Sequence, residues 1–105
     1  MRNDLVIRGG QVVTGGAVVA ADIAVAGGKI TAIGTGLDGA EVIEATGLIV
    51  SPGGVDPHCH IEQMSGMGLM NADTFETATR SAAMGGTTSV ISFAAQAKGA
   101  RLADT

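Results

Sequence analysis

The sequence predicts an α/β fold in two parts, a β-rich first half and a second half that forms a strand–helix–strand unit. Two observations predict it. Short β-prone runs punctuated by Gly-Gly pairs occupy the chain up to about Ser51, and helical hydrophobic spacing first occurs after Gly53. The 105 residues suit one small domain or part of a larger one. We place the boundary between residues 52 and 53, which gives segments 1–52 and 53–105.

The composition allows a hydrophobic core but predicts a thin one. Hydrophobic residues make up 46% of the chain, yet it holds two phenylalanines and neither tryptophan nor tyrosine. Aromatic rings usually supply much of the buried area of a compact core. A single cysteine leaves no internal disulfide to reinforce that core.

Charge and hydropathy exclude several classes of partner. The net charge is −4 and the six basic residues are scattered, whereas nucleic-acid binding needs clustered lysine and arginine. The apolar runs fall far short of the roughly 20 residues that span a bilayer. The start "MRNDLVIRGG" lacks the apolar segment of a secretion signal. We therefore expect a cytoplasmic protein that binds neither nucleic acid nor membrane.

The first half predicts two hairpins. The runs "DLVIR" and "QVVT" flank Gly9-Gly10, and the runs "DIAVA" and "KITAI" flank Gly27-Gly28. A two-residue glycine loop between β-prone runs is typical of a hairpin, because the tight turns that join paired strands need positive φ angles. A further strand-like run, "EVIEATGLIV", precedes Pro52.

The second half predicts a strand, a helix and a second strand. "GVDPHCHI" has the pattern of a strand, and a loop rich in methionine and glycine, "EQMSGMGLMN", follows it. A helix is predicted from about Asp73, with Asp73 as its cap, Glu76 completing a capping box and Gly85-Gly86 at its end. "TTSVISFA" then predicts a buried strand. Such a βαβ unit implies a parallel sheet that needs further strands, so we expect the beginning of a larger domain.

The two histidines of the chain, His58 and His60, stand one residue apart in the first predicted strand. Residues two apart on a strand share a face and lie about 7 Å apart, so Asp56, His58 and His60 face together while Cys59 faces away. Two such imidazoles can converge on one divalent ion such as zinc, and Asp56 can hold one ring by a hydrogen bond. The alternative is a pair of surface or core histidines. Position at the end of a βαβ strand favours the metal site.

The stretch "SPGGVDPHCH" resembles the metal-binding signature of the amidohydrolase superfamily, a Pro-Gly-x-x-Asp-x-His-x-His segment that forms the first barrel strand. The longer run "GGVDPHCHIEQMSGMGLMNADTFETATRSAAMGGTTSVISFAA" resembles the hydantoinase and dihydropyrimidinase family. The upstream pattern is similar to the N-terminal β-sandwich segment of that family. The resemblance implies that residues 1–52 are a β-sandwich segment and that residues 53–105 begin a (β/α)8 barrel of the TIM type. Such a barrel needs roughly 250 residues, so the barrel here is incomplete.

The same resemblance implies a hydrolase that opens the ring amide bond of hydantoins or dihydropyrimidines. Family members are similar in using two divalent metals, expected to be zinc, that share a hydroxide nucleophile. By this resemblance His58 and His60 are ligands of the more buried metal, and the remaining ligands and the general base come from later strands. No catalytic residue is therefore expected within the 105 residues, which should be inactive alone. The partner would be a small cyclic amide or imide, and the full-length form a homo-oligomer, a tetramer by family resemblance.

The loop after the histidines holds candidates for the substrate pocket. In dihydroorotases and many allantoinases an arginine usually stands two residues beyond the second histidine, and here that position is Glu62. An acidic side chain would repel a substrate carboxylate, so uncharged rings fit better; a solvated loop residue is the alternative. Met64 and Met67 are candidates for an adaptable apolar pocket wall, and ordinary loop packing is their alternative.

Other functions fit parts of the pattern. A non-catalytic scaffold or assembly relative on the same fold typically loses metal ligands, whereas this chain keeps the histidine pair. Another amidohydrolase, such as an allantoinase, is a closer alternative. A small metal protein of the cupin type would place the histidines in an antiparallel sheet, whereas a helix is predicted to follow them here.

Overall fold

Five strands form a mixed sheet in the first half of the chain: β1 (Asn3–Thr14), β2 (Ala17–Ala26), β3 (Lys29–Gly34), β4 (Gly39–Glu44) and β5 (Ile49–Val50). They are seen in a computed structural model that describes residues 2–105 and separates into two compact units, which meet in sequence at Pro52 and Gly53. β2 pairs antiparallel with both β1 and β3. Along its other edge, β1 pairs in parallel with β4 and then with β5.

The first predicted hairpin is wrong, because β1 runs through Gly9-Gly10 without turning. Gly9 has a φ of +72°, and the pairing with β2 shifts register between Ile7 and Gly10. A left-handed glycine at such a shift is typical of a β-bulge. The chain turns instead at Gly15-Gly16, between β1 and β2. A bulge and a turn both use the conformational freedom of glycine, so the sequence pattern alone does not separate them.

The second predicted hairpin is confirmed. β2 and β3 are joined by Gly27 and Gly28, whose φ angles are +59° and +75°. Two consecutive positive φ angles are what a type I′ hairpin turn requires. The Asp4 carboxylate in β1 accepts a hydrogen bond of 2.8 Å from the Gly27 N–H, which ties this turn to the neighbouring strand.

The core of the first unit is small and made of aliphatic side chains. Val12, Ala21 and Ile23 form its buried cluster, and Ile7, Val25 and Val50 pack against them. This agrees with the thin core that the composition predicts, since each of these side chains buries less area than an aromatic ring.

Asp22 is a buried carboxylate in the same sheet, only 7% exposed. Its Oδ1 accepts a hydrogen bond of 2.9 Å from the Gly9 N–H, and its Oδ2 accepts one of 3.2 Å from the Leu37 N–H. These two backbone donors, that of Gly9 first, lower the pKa of Asp22 because they stabilise the charged form. One side chain thus accepts hydrogen bonds from backbone N–H groups in both the bulge of β1 and the loop before β4.

The second unit contains β6 (Gly54–Cys59), α1 (Phe75–Met84) and β7 (Thr87–Ser92). β6 and β7 pair in parallel, as the predicted βαβ unit requires, and α1 ends where Gly85 was expected to end it. A short 3₁₀ turn, Leu102–Asp104, follows. Parallel pairing and an intervening helix disfavour the cupin alternative. Within residues 2–105, none of the helices has the length and apolar character needed to cross a bilayer.

The first turn of α1 corrects a detail of the sequence prediction. Its N-cap is Thr74 rather than Asp73. Thr74 Oγ1 accepts a hydrogen bond of 3.2 Å from the Thr77 N–H, and Thr77 Oγ1 accepts one of 2.9 Å from the Thr74 N–H. Two threonines therefore form the capping box, while Glu76, the predicted partner, makes an ion pair of 2.9 Å with Arg80.

Both units together are sheet-rich and hold one α-helix among the residues described. This agrees with the predicted α/β class. The finer assignments, residues 1–52 to a β-sandwich and residues 53–105 to the start of a TIM-type barrel, stay predictions.

Candidate metal centre

The side chains of His58 and His60 meet at the carboxyl end of β6. Their Nε2 atoms lie 3.2 Å apart, and their ring centroids 5.2 Å apart. Cys59, between them, faces elsewhere, where its thiol donates a hydrogen bond of 3.5 Å to the Ile91 carbonyl. The two imidazoles therefore share one face, as strand alternation predicts.

The spacing of these two nitrogens fits two ligands of one tetrahedral ion. Zinc–nitrogen bonds of about 2.0–2.1 Å at the tetrahedral angle place two ligand nitrogens about 3.3–3.4 Å apart, close to the 3.2 Å between His58 and His60. Imidazole nitrogens suit zinc and similar divalent ions. Within the part of the chain that the structure describes, no three histidine, cysteine or acidic side chains are grouped for a metal. The pair thus falls short of the three protein ligands of a catalytic zinc site.

Gln63 contacts the second imidazole from the side away from His58. Its Oε1 lies 2.8 Å from His60 Nδ1, where it accepts the ring N–H. The loop is closed by Asn71, whose N–H donates to the Gln63 carbonyl at 3.0 Å and whose Nδ2 donates to the His60 carbonyl at 2.6 Å. Neither Gln63 nor Asn71 stands out in the sequence, because single amide residues in a loop carry no spacing signal.

Phe93 packs against both imidazoles from the end of β7. Its ring centroid lies 5.5 Å from that of His58 and 4.8 Å from that of His60, with interplanar angles of 20° and 30°. The Phe93 N–H donates a hydrogen bond of 2.7 Å to the Cys59 carbonyl, which extends the pairing of the two strands. Stacked rings at this distance restrict each other's orientation. In the sequence, the only feature that could have drawn attention to Phe93 is that the chain holds just two phenylalanines.

The Asp56 carboxylate contacts the backbone of the strand that carries the histidines. Its Oδ1 accepts a hydrogen bond of 3.1 Å from the backbone N–H of His58. In the described residues, the hydrogen bonds of His60 and of the His58 ring do not include this carboxylate. Asp56 thus stabilises the strand backbone beneath the first histidine, and the orientation of an imidazole by Asp56 stays a prediction.

Glu62 joins the histidine strand to the helix. It adopts a left-handed conformation with a φ of +53°, which is uncommon for a residue other than glycine. Its Oε2 accepts a hydrogen bond of 2.9 Å from the N–H of Phe75, the first residue of α1. Unpaired N–H groups and the helix dipole favour a carboxylate there. Glu62 also lines a groove of about 430 Å³ together with Gln63, Met64 and Phe93.

The methionine loop is folded onto itself. Met64 and Met70 pair as an antiparallel bridge, and Ser65 Oγ accepts hydrogen bonds from the Met67 N–H at 3.3 Å and the Leu69 N–H at 3.2 Å. The two pocket candidates differ in their surroundings. Met64 lines the groove described above, whereas Met67 is 84% exposed in the loop.

Comparison with known proteins finds relatives with two names, D-hydantoinase and allantoinase. The D-hydantoinase of Ralstonia pickettii is 45% identical over 102 residues, which are 96% of this chain and 22% of that protein. An allantoinase of Salmonella choleraesuis is 49% identical over 92 residues, 87% of this chain and 20% of that protein. No protein-family model matches the chain.

Comparison with solved structures also finds a D-hydantoinase. The crystal structure of D-hydantoinase from Bacillus sp. AR9 matches with a TM-score of 0.84 and 48% sequence identity, over 91% of this chain and 21% of that one. The chain thus spans about one fifth of the length of the relatives it matches.

Proposed function

We propose a function on the premise that this chain belongs to the hydantoinase family of amidohydrolases. It is the N-terminal part of a metal-dependent enzyme that hydrolyses the ring amide bond of hydantoins or dihydropyrimidines. The observation that carries the proposal is the histidine pair, whose Nε2 atoms lie 3.2 Å apart. The pair stands at the carboxyl end of a parallel strand, where βα folds build their active sites.

In this proposal His58 and His60 bind one divalent ion through Nε2, and zinc is the expected metal. When bound, such an ion activates water as a nucleophile at neutral pH and polarises the ring carbonyl. This chain contributes two aligned nitrogen donors and the Phe93 ring, which covers part of both imidazoles. Further ligands and the general base would come from other parts of the enzyme.

The charge of the groove supports a neutral ring as the substrate. Glu62 lines the groove, and its contact with the Phe75 N–H holds the carboxylate in place. A fixed negative charge repels a substrate carboxylate, while a neutral hydantoin or dihydropyrimidine ring meets no such repulsion. Met64 would supply an apolar wall on the same groove.

A cytoplasmic location and a homo-oligomeric full-length form are part of the proposal.

An allantoinase is the second candidate, because relatives of that name reach 49% identity over the matched segment. The two candidates share the histidine pair and differ in the ring that is opened. Parallel assays with hydantoin, dihydrouracil and allantoin decide between them.

The first test uses the full-length gene product. Replacement of both histidines by alanine should remove the bound metal, measured by inductively coupled plasma mass spectrometry. It should also slow ring opening on the order of 10³-fold, since the metal supplies several kcal/mol of transition-state stabilisation. Cys59→Ala is the matched control, because this residue lies between the histidines and faces away from them. It should keep both metal and activity.

Two results would count against the proposal. A double variant that kept its metal and its activity would remove the histidines from the site. A wild-type protein that assembled normally without metal and opened none of the three rings would favour the scaffold alternative.

A further inference from the structure

We propose that Gln63 is a positioning residue for the candidate metal centre. Its side-chain oxygen holds His60 in the tautomer that leaves Nε2 free to bind a metal. The inference rests on the proposed function, since it concerns the same pair of imidazoles. Two distances carry it: Gln63 Oε1 lies 2.8 Å from His60 Nδ1, and His60 Nε2 lies 3.2 Å from His58 Nε2.

The chemistry of the imidazole ring explains why the acceptor matters. A neutral histidine carries one ring proton, on either Nδ1 or Nε2, and only the bare nitrogen can bind a metal. An amide oxygen accepts a hydrogen bond and cannot donate one. Gln63 Oε1 therefore selects the form of His60 with its proton on Nδ1 and its lone pair on Nε2, the atom that faces His58. Without this acceptor His60 can adopt either tautomer.

The loop holds Gln63 firmly enough for this role. The preceding residue, Glu62, is set by its left-handed φ of +53° and by its hydrogen bond from the Phe75 N–H. Asn71 donates to the carbonyl of Gln63 and to that of His60. Because one asparagine binds both backbones, the amide and the imidazole keep their relative positions. Gln63 itself is half-buried, while His60 and the hydrogen bond between them are exposed.

The metal-free form follows from the same geometry. Two bare nitrogens 3.2 Å apart would repel each other, so a proton on His58 Nε2 completes a hydrogen bond to the lone pair of His60 Nε2. For a metal ion to bind, His58 would give up its Nε2 proton to solvent and take one up on Nδ1, so that both Nε2 atoms would offer a lone pair. Gln63 thus prepares the metal-binding form of His60 before any metal arrives.

The experiment uses the 105-residue chain labelled with ¹⁵N in its histidines, without metal. Magic-angle-spinning NMR reads which ring nitrogen of His60 carries the proton, and does so whatever the size of the particles. Zinc affinity is measured in parallel by competition with a chromophoric indicator. In the wild type we expect the proton on Nδ1. In Gln63→Met, which has a similar length and no comparable acceptor, we expect a mixture of tautomers and roughly 10- to 100-fold weaker zinc binding.

Two further variants serve as controls. Gln63→Glu keeps an acceptor oxygen and should retain both the tautomer and the affinity. Gln11→Met makes the same chemical change at an exposed position of β1, in the other unit, and should change neither readout. Backbone amide spectra of each variant report whether it is folded, so that a purely structural loss is recognised as one.

Three outcomes decide the inference. A wild-type His60 with its proton on Nε2 would overturn it, and so would an unchanged tautomer in a folded Gln63→Met. A mixture of tautomers in Gln63→Met, with the wild-type form kept in Gln63→Glu, supports it. If the wild-type chain binds no zinc, the metal part of the proposed function loses support, while the tautomer measurement still decides whether Gln63 positions His60.

Discussion

Asp22 is a single residue on which two backbone segments of the first sheet depend, the Gly9 bulge and the loop at Leu37. The hydrogen bonds from these N–H groups lower its pKa. A carboxyl group whose pKa is lower in the folded state contributes stability above its unfolded pKa, which is about 4. That contribution is lost as the pH falls through the folded pKa, because the proton removes the charge that the donors stabilise.

We expect Asp22→Asn to lower the urea denaturation midpoint at pH 7 and to lose this difference as the pH falls below about 4. An asparagine cannot accept on both side-chain atoms, so one of the two backbone donors is left unpaired. Circular dichroism across a pH series measures the midpoint. Asp38→Asn, at an exposed position, is the control and should show little change at any pH. An equal difference between Asp22→Asn and wild type at pH 3 and pH 7 would contradict the expectation.

At the scale of elements, α1 is short and depends on its first turn. Isolated helices of this length are marginal, so capping groups weigh heavily in their stability. Two sets of contacts bind the free N–H groups at the start of α1. Thr74 and Thr77 form the capping box, and the Glu62 carboxylate accepts a hydrogen bond from the Phe75 N–H. The second contact links the helix to Glu62, which lies three residues beyond the end of β6.

We expect Thr74→Ala to destabilise the second unit by about 1 kcal/mol, the usual effect of removing an N-cap oxygen. Asp73→Ala should cost less, because among residues 2–105 the Asp73 carboxylate accepts a hydrogen bond only from the Thr77 hydroxyl, at 2.9 Å. Urea titrations followed at 222 nm compare the two variants with the wild type. A larger loss in Asp73→Ala than in Thr74→Ala would show that the helix begins one residue earlier than the structure places it.

At the scale of the whole molecule, much of the apolar surface is uncovered. Ile61 is the buried hydrophobic residue of the second unit among those described. Ile30, Ile49, Val55 and Ile91 are each at least 60% exposed. Within residues 2–105, β6 and β7 pair only with each other, so their outer edges have free backbone groups. Exposed apolar faces and open strand edges favour association.

We therefore expect the isolated 105-residue chain to self-associate. Sedimentation velocity over a range of concentrations should show species larger than the monomer. Ile30→Lys combined with Ile49→Lys should shift the distribution towards the monomer, since both side chains are exposed on the first unit and a charge there opposes contact. Lys29→Arg is the control and should leave the distribution unchanged. A compact monomer at every concentration would contradict this prediction.

The sequence alone determined those features that depend on near neighbours in the chain. Strand alternation predicted that His58 and His60 share a face, and the Gly27-Gly28 pair predicted its turn, because side-chain period and φ preference are local properties. The βαβ order followed from the change of hydrophobic period, and the resemblance to the hydantoinase family from motifs in one continuous stretch.

Only the tertiary structure decided which distant groups meet. The role of Gly9-Gly10 depended on the pairing of β1 with β2, and the buried Asp22 on backbone groups in two other segments. Phe93 reaches the imidazoles because β7 pairs in parallel with β6, and Gln63 reaches His60 from a loop in which Glu62 has a positive φ. Such contacts depend on strand register and loop closure, which arise when separate segments pack together and which no local pattern specifies.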